Sequence, residues 1–214
     1  GQIRLGKMLS PFVTLKTSFR YSDISYGDLG ALWLYTREWR REFQDTTTIS
    51  NSWSLERNTV DNNTNPGHGG KHELVGTLAG FGGDNNFIRL EHSSTWYWTL
   101  DENDKWVLSY RTREGWETEY GSSDYVPLAE RFFAGGTTTV RGYETREIGP
   151  RARKYWFLRE TEPVGGKARI INNLEMKYKV TDILRLYAFI DAGGVWEDAV
   201  EINISRILPH APSV

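Results

Sequence analysis

The stretch Val13-Thr-Leu-Lys-Thr-Ser-Phe-Arg-Tyr21 alternates in residue type with a period of two, and this alternation decides the fold. Its odd positions are mostly apolar, whereas its even positions hold only Thr, Lys, Ser and Arg. Successive side chains of a β-strand point to opposite faces. The stretch therefore predicts a strand with one apolar face and one charged face.

The same alternation recurs along most of the chain. It is found at residues 49–56, 106–113, 168–178 and 184–190, and residues 29–41, 74–81 and 87–100 are predicted to be further strands. Polar turns separate these segments, and the longest such turn, Asp61 to Gly70, is too rich in Asn and Gly for a regular element. The pattern predicts an all-β chain of roughly nine antiparallel strands, without a helical period of comparable strength or a fixed repeat.

Composition limits what such a chain can be. The longest stretches without a charged residue, 46–55 and 74–83, are ten residues, whereas a membrane-spanning helix needs about 18. A β-barrel still fits a membrane, because its strands need to be apolar on one face only. The net charge of -2 gives no electrostatic case for binding nucleic acid, and the absence of Cys excludes disulfides and thiolate chemistry.

The placement of aromatic residues distinguishes a membrane barrel from a soluble β-sandwich, whose strands would also alternate between apolar and polar residues. Trp and Tyr cluster at strand ends, as in Trp96-Tyr97-Trp98. Such clusters are typical of the aromatic girdles at the two membrane interfaces. The polar face carries Arg and Lys along whole strands, so we favour a transmembrane antiparallel β-barrel over a sandwich.

No residue pattern indicates a cofactor, a metal or covalent catalysis. No Lys-Ser or Lys-Thr follows the paired glycines at the spacing of a phosphate-binding loop, and no Ser stands in a nucleophile-elbow context. The four histidines form no metal-binding pattern: His68, His72, His92 and His210. The basic cluster Arg151-Ala-Arg153-Lys154 is more simply a solvated loop than a contact for lipopolysaccharide phosphates. We expect no enzyme, no cofactor and no metal.

A connection of about fifty residues, 120–167, separates two of the strands. Loops of this length are usually functional or disordered. This one contains Pro127-Leu-Ala-Glu-Arg-Phe-Phe-Ala-Gly-Gly-Thr-Thr-Thr-Val-Arg-Gly-Tyr-Glu-Thr-Arg-Glu-Ile-Gly-Pro150. Here the sequence resembles the outer-membrane protein assembly family, which includes BamA and TamA and has relatives in mitochondria, chloroplasts and two-partner secretion.

The loop motif and three separated motifs downstream of it, in the family's order and spacing, carry the resemblance over about residues 61–196. The motif residues of the loop are Arg131, Phe132, Phe133, Gly135, Gly136, Val140, Arg141, Gly142, Tyr143, Gly149 and Pro150. The downstream motifs lie at 165–167, 173–175 and 189–196.

The resemblance implies an integral outer-membrane barrel of about 16 strands, of which residues 1–214 form a partial barrel domain. The first few and the last two strands, and the periplasmic helper domains, are expected to be missing. The tail 207–214 does not match the family's closing strand and is expected to be a cut end.

The resemblance also implies that the loop folds back into the barrel lumen, where its arginine pairs with acidic residues of the wall. Glu175 and Asp191 are odd positions in strands whose even positions are apolar, so both side chains are expected to face the lumen. Both carboxylates would then converge on Arg141, whose planar fork suits them. The simpler alternative is an arginine in a solvated surface loop.

By resemblance, the expected function is to fold and insert β-barrel proteins into the outer membrane. The expected partners are nascent outer-membrane proteins, outer-membrane lipids and lipopolysaccharide, and accessory lipoproteins. Three alternatives remain: a TamA-like or two-partner secretion translocator, a passive channel, and a barrel fused to an amino-terminal enzyme such as a patatin-like lipase.

Overall fold

The structure is a computed structural model that describes residues 1–27, 32–181 and 183–199, so the tail 207–214 and His210 lie outside the described residues. The strands are β1 Gln2–Ser10, β2 Val13–Ile24, β3 Thr46–Asn58, β4 Gly69–Gly83, β5 Phe87–Thr99, β6 Trp106–Glu119, β7 Arg151–Arg153, β8 Thr161–Pro163, β9 Ala168–Lys179 and β10 Arg185–Trp196. One turn of 3₁₀ helix, Leu32–Leu34, and helix α1, Arg37–Glu42, lie between β2 and β3. No described helix is long and apolar enough to cross a membrane.

Eight strands form one antiparallel sheet in the order β1-β2-β3-β4-β5-β6-β9-β10. Each strand pairs with its neighbour in sequence, except that β9 follows β6 after the long connection 120–167. The small strands β7 and β8 lie in that connection and pair with each other. Long strands arranged as an up-and-down meander with short turns at one end are the pattern of outer-membrane barrels.

The two faces of the sheet differ as the alternation predicted. We call the face covered by the connection 120–167 the inner face and the opposite one the outer face. Large apolar side chains lie exposed on the outer face: Leu15, Phe19, Trp53, Leu55, Leu74, Leu90, Trp98, Trp106, Leu174, Leu186 and Ile190. The inner face instead carries ion pairs between strands, such as Lys16 with Glu56 (2.5 Å) and Arg169 with Glu91 (3.3 Å).

The number and nature of the elements differ from the sequence prediction in two places. Strand β1 was not predicted, and the described residues form ten strands, two of them short, rather than roughly nine. The prediction of a strand at 29–41 was wrong over its described part, 32–41, where a 3₁₀ turn and α1 lie, and residues 29–31 lie outside the described residues. The aromatic residues Tyr35, Trp39 and Phe43 recur every four residues, and their rings pack together. The centroid of the Phe43 ring lies 4.9 Å from that of Tyr35 and 6.1 Å from that of Trp39. This spacing is helical, since residues four apart share one side of a helix.

The connection 120–167 packs onto the inner face through a small apolar core. Phe132, Ala134 and Val140 of the connection are buried against Ile171 of β9 and Val195 of β10. Two isolated bridges, Phe132 with Gly166 and Ala134 with Ile148, fold the connection back on itself. The loop is thus fixed against the strands that carry the acidic side chains.

Candidate functional site

The guanidinium of Arg141 is held between two carboxylates of the inner face. Its Nε and Nη2 donate to the two oxygens of Asp191 at 2.6 and 2.7 Å, and its Nη1 donates to Glu175 at 2.5 Å. The backbone N–H of Arg141 adds a further bond to Asp191 at 3.0 Å. The structure therefore brings together the three residues that the sequence pattern and the family resemblance predicted to converge, in the two-pronged geometry that favours arginine. We call this group the arginine clamp.

Two further side chains complete the arginine clamp. The Phe189 ring lies under the guanidinium, with its centroid 3.6 Å from the Arg141 Cζ, which is a cation–π contact. Asn173 donates from one nitrogen to Asp191 (2.8 Å) and to the carbonyl oxygen of Thr139 in the loop (2.7 Å). Asn173 thus ties the loop backbone to the same carboxylate that Arg141 binds.

The carboxylates are not equally sheltered. The side chain of Asp191 is 1% exposed, whereas those of Glu175 and Arg141 are 27% and 24% exposed. The hydrogen bond with Asp191 raises the pKa of Arg141, so this guanidinium keeps its charge. A sheltered carboxylate without its counter-charge is costly, so we expect Asp191 to depend on Arg141 more strongly than Glu175 does.

A second contact, about the Phe132 ring, holds the loop on β5, β6 and β9. The ring lies between the guanidiniums of Arg89 and Arg169, whose Cζ atoms are 5.4 and 4.7 Å from its centroid. It also lies over Gly115, where an added Cβ would meet a ring carbon at 2.6 Å. Glycine is needed at 115 because any side chain would fill the place of the ring.

Charged groups surround this ring. Arg89 donates from Nε to Glu117 of β6 at 2.7 Å and lies 3.3 Å from the carboxylate of Glu130 in the loop. Glu130 also pairs with Arg20 of β2. The loop is therefore joined by ion pairs to strands on both sides of the inner face, β2 as well as β5.

Comparison with known proteins gives the family. A family model described as the Omp85 superfamily domain matches residues 2–207. The chain belongs to the Omp85 superfamily. Its identification from the loop motifs is thereby confirmed, and the protein is an integral β-barrel protein of the bacterial outer membrane.

The relatives of this Omp85 chain include proteins named BamA and a SAM50-like protein. It is 33% identical over 167 residues to the outer membrane protein assembly factor BamA of Nitratidesulfovibrio vulgaris, covering 76% of this chain and 20% of that protein. It is 28% identical to BamA of Neisseria meningitidis over 66% of this chain and 18% of that protein. A SAM50-like protein of Schizosaccharomyces pombe is 27% identical over 73% of this chain and 33% of that protein. The chain spans about a fifth of the bacterial relatives that it matches.

A solved structure shows the fold. The crystal structure of BamA from Haemophilus ducreyi lacking POTRA domains 1-3 superposes with a TM-score of 0.77 at 20% identity, over 91% of this chain and 41% of that one. The inner face of the sheet therefore faces the lumen of a barrel of this type, and the outer face contacts lipid.

The remaining motif residues of the Omp85 loop lie at its turns. Gly135 and Gly136 have φ of +104° and +92°, which side-chain-bearing residues rarely adopt. Tyr143 packs against the apolar core of the loop, and its carbonyl accepts from Gly136 N–H at 3.1 Å. Further along, Gly149 lies against Val195 of β10, and the Pro150 carbonyl accepts from the N–H of Val164 at 3.0 Å.

Arg131 connects the loop to the β2–β3 connection. Its Nη2 lies 3.1 Å from a Glu42 oxygen, and the other Glu42 oxygen accepts from Leu128 N–H at 2.7 Å. Burial raises the pKa of the Glu42 carboxyl, although these two partners oppose that effect. Phe133, next to Arg131 in the motif, receives the guanidinium of Arg146 on its ring at 4.3 Å.

Several residues that hold the loop are not evident from the sequence pattern. They are Arg20, Glu42, Arg89, Gly115 and Glu117, whereas Asn173 and Phe189 lie within the downstream motifs but had no predicted role. The alternation of odd and even strand positions places the strand residues on the lumenal face, but it does not indicate which loop residue contacts them. Among the described residues, no three His, Asp or Glu side chains are grouped so as to hold a metal ion.

Proposed function

We propose that this chain is the barrel part of a BamA-like factor that folds β-barrel proteins and inserts them into the outer membrane. The single observation that carries the proposal is the arginine clamp, which fixes an Omp85 loop on the lumenal wall through Arg141, Glu175 and Asp191. The names of the bacterial relatives, which are assembly factors, support the same function.

In this role the barrel supplies a template and needs no covalent chemistry. An incoming strand gains backbone hydrogen bonds by adding to an exposed sheet edge, which is a common mode of peptide recognition. A loop anchored to β6, β9 and β10 keeps that part of the wall in one arrangement while the edge exchanges partners. We therefore propose that the assembly function is not enzymatic.

The proposed partners follow from the two surfaces. Nascent outer-membrane β-barrel proteins are the clients, and outer-membrane lipids with lipopolysaccharide surround the apolar outer face. Accessory lipoproteins are proposed as further subunits by likeness to the family. A passive channel is less well supported, because the loop covers the lumenal face and is held there by ion pairs.

The test compares two arginines of the same loop in the full-length protein. Arg141→Ala removes the clamp, whereas Arg151→Ala removes an exposed arginine whose donors reach only Thr161. We expect Arg141→Ala to abolish most assembly of a β-barrel client into lipid vesicles and Arg151→Ala to leave it unchanged.

Equal assembly by the two variants would contradict the proposal. Release of a soluble client across the membrane, without insertion of a barrel, would instead indicate a TamA-like or two-partner secretion translocator. Conductance for small solutes with no effect on any client would indicate a passive channel.

A further inference from the structure

A cluster of polar side chains lies on the outer face, with Leu74 and Leu90 on the same strands and Arg57 and Asn172 on the strands to either side. The cluster consists of His72 on β4, His92 and Ser94 on β5, and Thr112 and Glu114 on β6, all at even positions. Strand pairing sets His72 opposite Ser94 and His92 opposite Glu114. These side chains therefore share one patch of the face that contacts lipid.

A continuous chain of hydrogen bonds runs through the cluster. Ser94 Oγ lies 2.8 Å from His92 Nε2, and His92 Nδ1 lies 2.7 Å from Glu114 Oε2. The other Glu114 oxygen accepts from the Thr112 hydroxyl. A hydroxyl on one imidazole nitrogen and a carboxylate on the other is the arrangement of a serine hydrolase triad.

Ionisable side chains on the lipid-facing surface cost free energy, so their presence there indicates a function. Leu74, Leu90 and Leu174 lie on the same face near the cluster and are 45%, 48% and 39% exposed, as lipid-facing residues are. The side chains of His92 and Glu114 are 43% and 40% exposed on the same face. Ionisable residues facing the membrane interior are expensive and mark functional sites by default.

We propose that Ser94, His92 and Glu114 form a hydrolase triad on the outer wall of the barrel, which cleaves the acyl esters of membrane lipids. Ser94 is the nucleophile and His92 the general base. Glu114 is a positioning residue that orients the imidazole and stabilises its protonated form. The site shares no residue with the arginine clamp, which lies on the opposite face.

The proposed reaction balances with water as the only co-reactant. The Ser94 oxygen bonds to the ester carbonyl carbon while His92 Nε2 takes the hydroxyl proton. The bond from that carbon to the alcohol oxygen breaks, and His92 returns the proton to the departing lysolipid or alcohol. Water then adds to the acyl-serine in the same way, which releases the fatty acid and restores the Ser94 hydroxyl.

His72 controls access to the nucleophile. Its Nδ1 lies 2.9 Å from Ser94 Oγ, and its ring packs edge-on against Trp96 at 5.2 Å. Ser94 is only 2% exposed as a result of this packing among its neighbours. An ester reaches the hydroxyl when the His72 ring turns away, so His72→Ala is expected to speed the reaction of Ser94 with small electrophiles.

An acyl ester of a membrane lipid is the substrate class that fits the surroundings. Exposed leucines lie on the same face beside the cluster, and such a surface suits an acyl chain better than a water-soluble substrate. Because the cluster faces the bilayer, lipid substrates are present there at high local concentration without a binding cleft.

The test uses a fluorophosphonate, which phosphonylates activated serines, on the full-length protein in phosphatidylethanolamine–phosphatidylglycerol vesicles. We expect Ser94 to carry the label, as located by peptide mass spectrometry, and the vesicles to release free fatty acid. Ser94→Ala and His92→Ala remove both signals. Ser93→Ala, which alters the neighbouring side chain on the lumenal face, keeps both.

The positioning role of Glu114 has its own readout. Glu114→Gln lowers the labelling rate by about 100-fold or more, and Glu114→Asp, which keeps a carboxylate, restores part of it. Client assembly stays intact in Ser94→Ala, so failure of this proposal is distinct from failure of the assembly function. An assembly-competent protein whose Ser94 is not labelled, even in His72→Ala, would overturn the proposal, as would equal labelling of the wild type and His92→Ala.

Discussion

Two glycines of the lumenal loop have similar backbone conformations but different surroundings. Gly135 and Gly142 have φ of +104° and +92°, respectively. An added Cβ at 135 would meet the Glu144 carbonyl oxygen at 2.3 Å, whereas one at 142 would meet nothing within 4 Å. The loop turn therefore requires glycine at 135 for space as well as for conformation.

This pair predicts unequal effects of the same substitution. Gly142→Ala should cost about 1–2 kcal/mol, which is the strain of a positive φ alone. Gly135→Ala should cost more, because the loop backbone must move away from Glu144. Urea unfolding from lipid vesicles measures both, and an equal or smaller loss for Gly135→Ala would contradict the packing described for this turn.

At the residue scale, strand parity predicts more than loop contacts. The alternation alone places Glu175 and Asp191, at odd positions of β9 and β10, on the lumenal face. The choice of Arg141 as their partner comes from the family resemblance, since parity says nothing about a fifty-residue connection. Asn173 has the same parity as Glu175, but its bond to Thr139 depends on the loop backbone, which no local pattern encodes.

At the element scale, helix α1 fastens the β2–β3 connection to the lumenal loop. Glu42 binds both Arg131 and the Leu128 N–H, and Tyr125 donates its hydroxyl proton to the Arg41 carbonyl at 3.2 Å. Thr36 N–H donates to the Lys154 carbonyl at 2.9 Å. The two connections therefore form one packed unit above the sheet.

We predict that Glu42→Ala separates these two connections, whereas Glu38→Ala, on the same helix but exposed, does not. Without Glu42, the Leu128 N–H and the Arg131 guanidinium lose a partner in a mostly buried place, at a cost of about 1–3 kcal/mol. Hydrogen–deuterium exchange should rise in both 32–45 and 120–131. A rise in the first range alone would show that the connections do not support each other.

The β2–β3 connection is also the element for which the sequence prediction was wrong. Its charged run is compatible with a strand end, and only three aromatic rings at four-residue spacing indicate a helix. A helix of six residues has too few turns for its period to stand out from an alternating background. The strands of twelve to fifteen residues, in contrast, repeat their period often enough to be predicted.

At the scale of the whole molecule, the apolar outer face is the surface that contacts lipid, where a soluble protein would have a polar surface in contact with water. Two neighbouring positions of β10 allow a direct test of this membrane contact, because Leu186 lies on the outer face and Arg185 on the lumenal one. A spin label at 186 should be relaxed by oxygen dissolved in lipid, and one at 185 by a water-soluble nickel complex. Equal accessibility at the two positions would contradict the membrane barrel.

Arg141 locks the Omp85 loop to the lumenal wall. The most direct measurement is a pair of double-mutant cycles, Arg141 with Asp191 and Arg141 with Glu175, scored by unfolding free energy and by client assembly. We predict coupling of about 1–3 kcal/mol in both cycles. The larger value is expected for Asp191, which is 1% exposed and accepts three of the four bonds from Arg141. Additive effects in both cycles would contradict the account, since they would show that the loop is held without the arginine clamp.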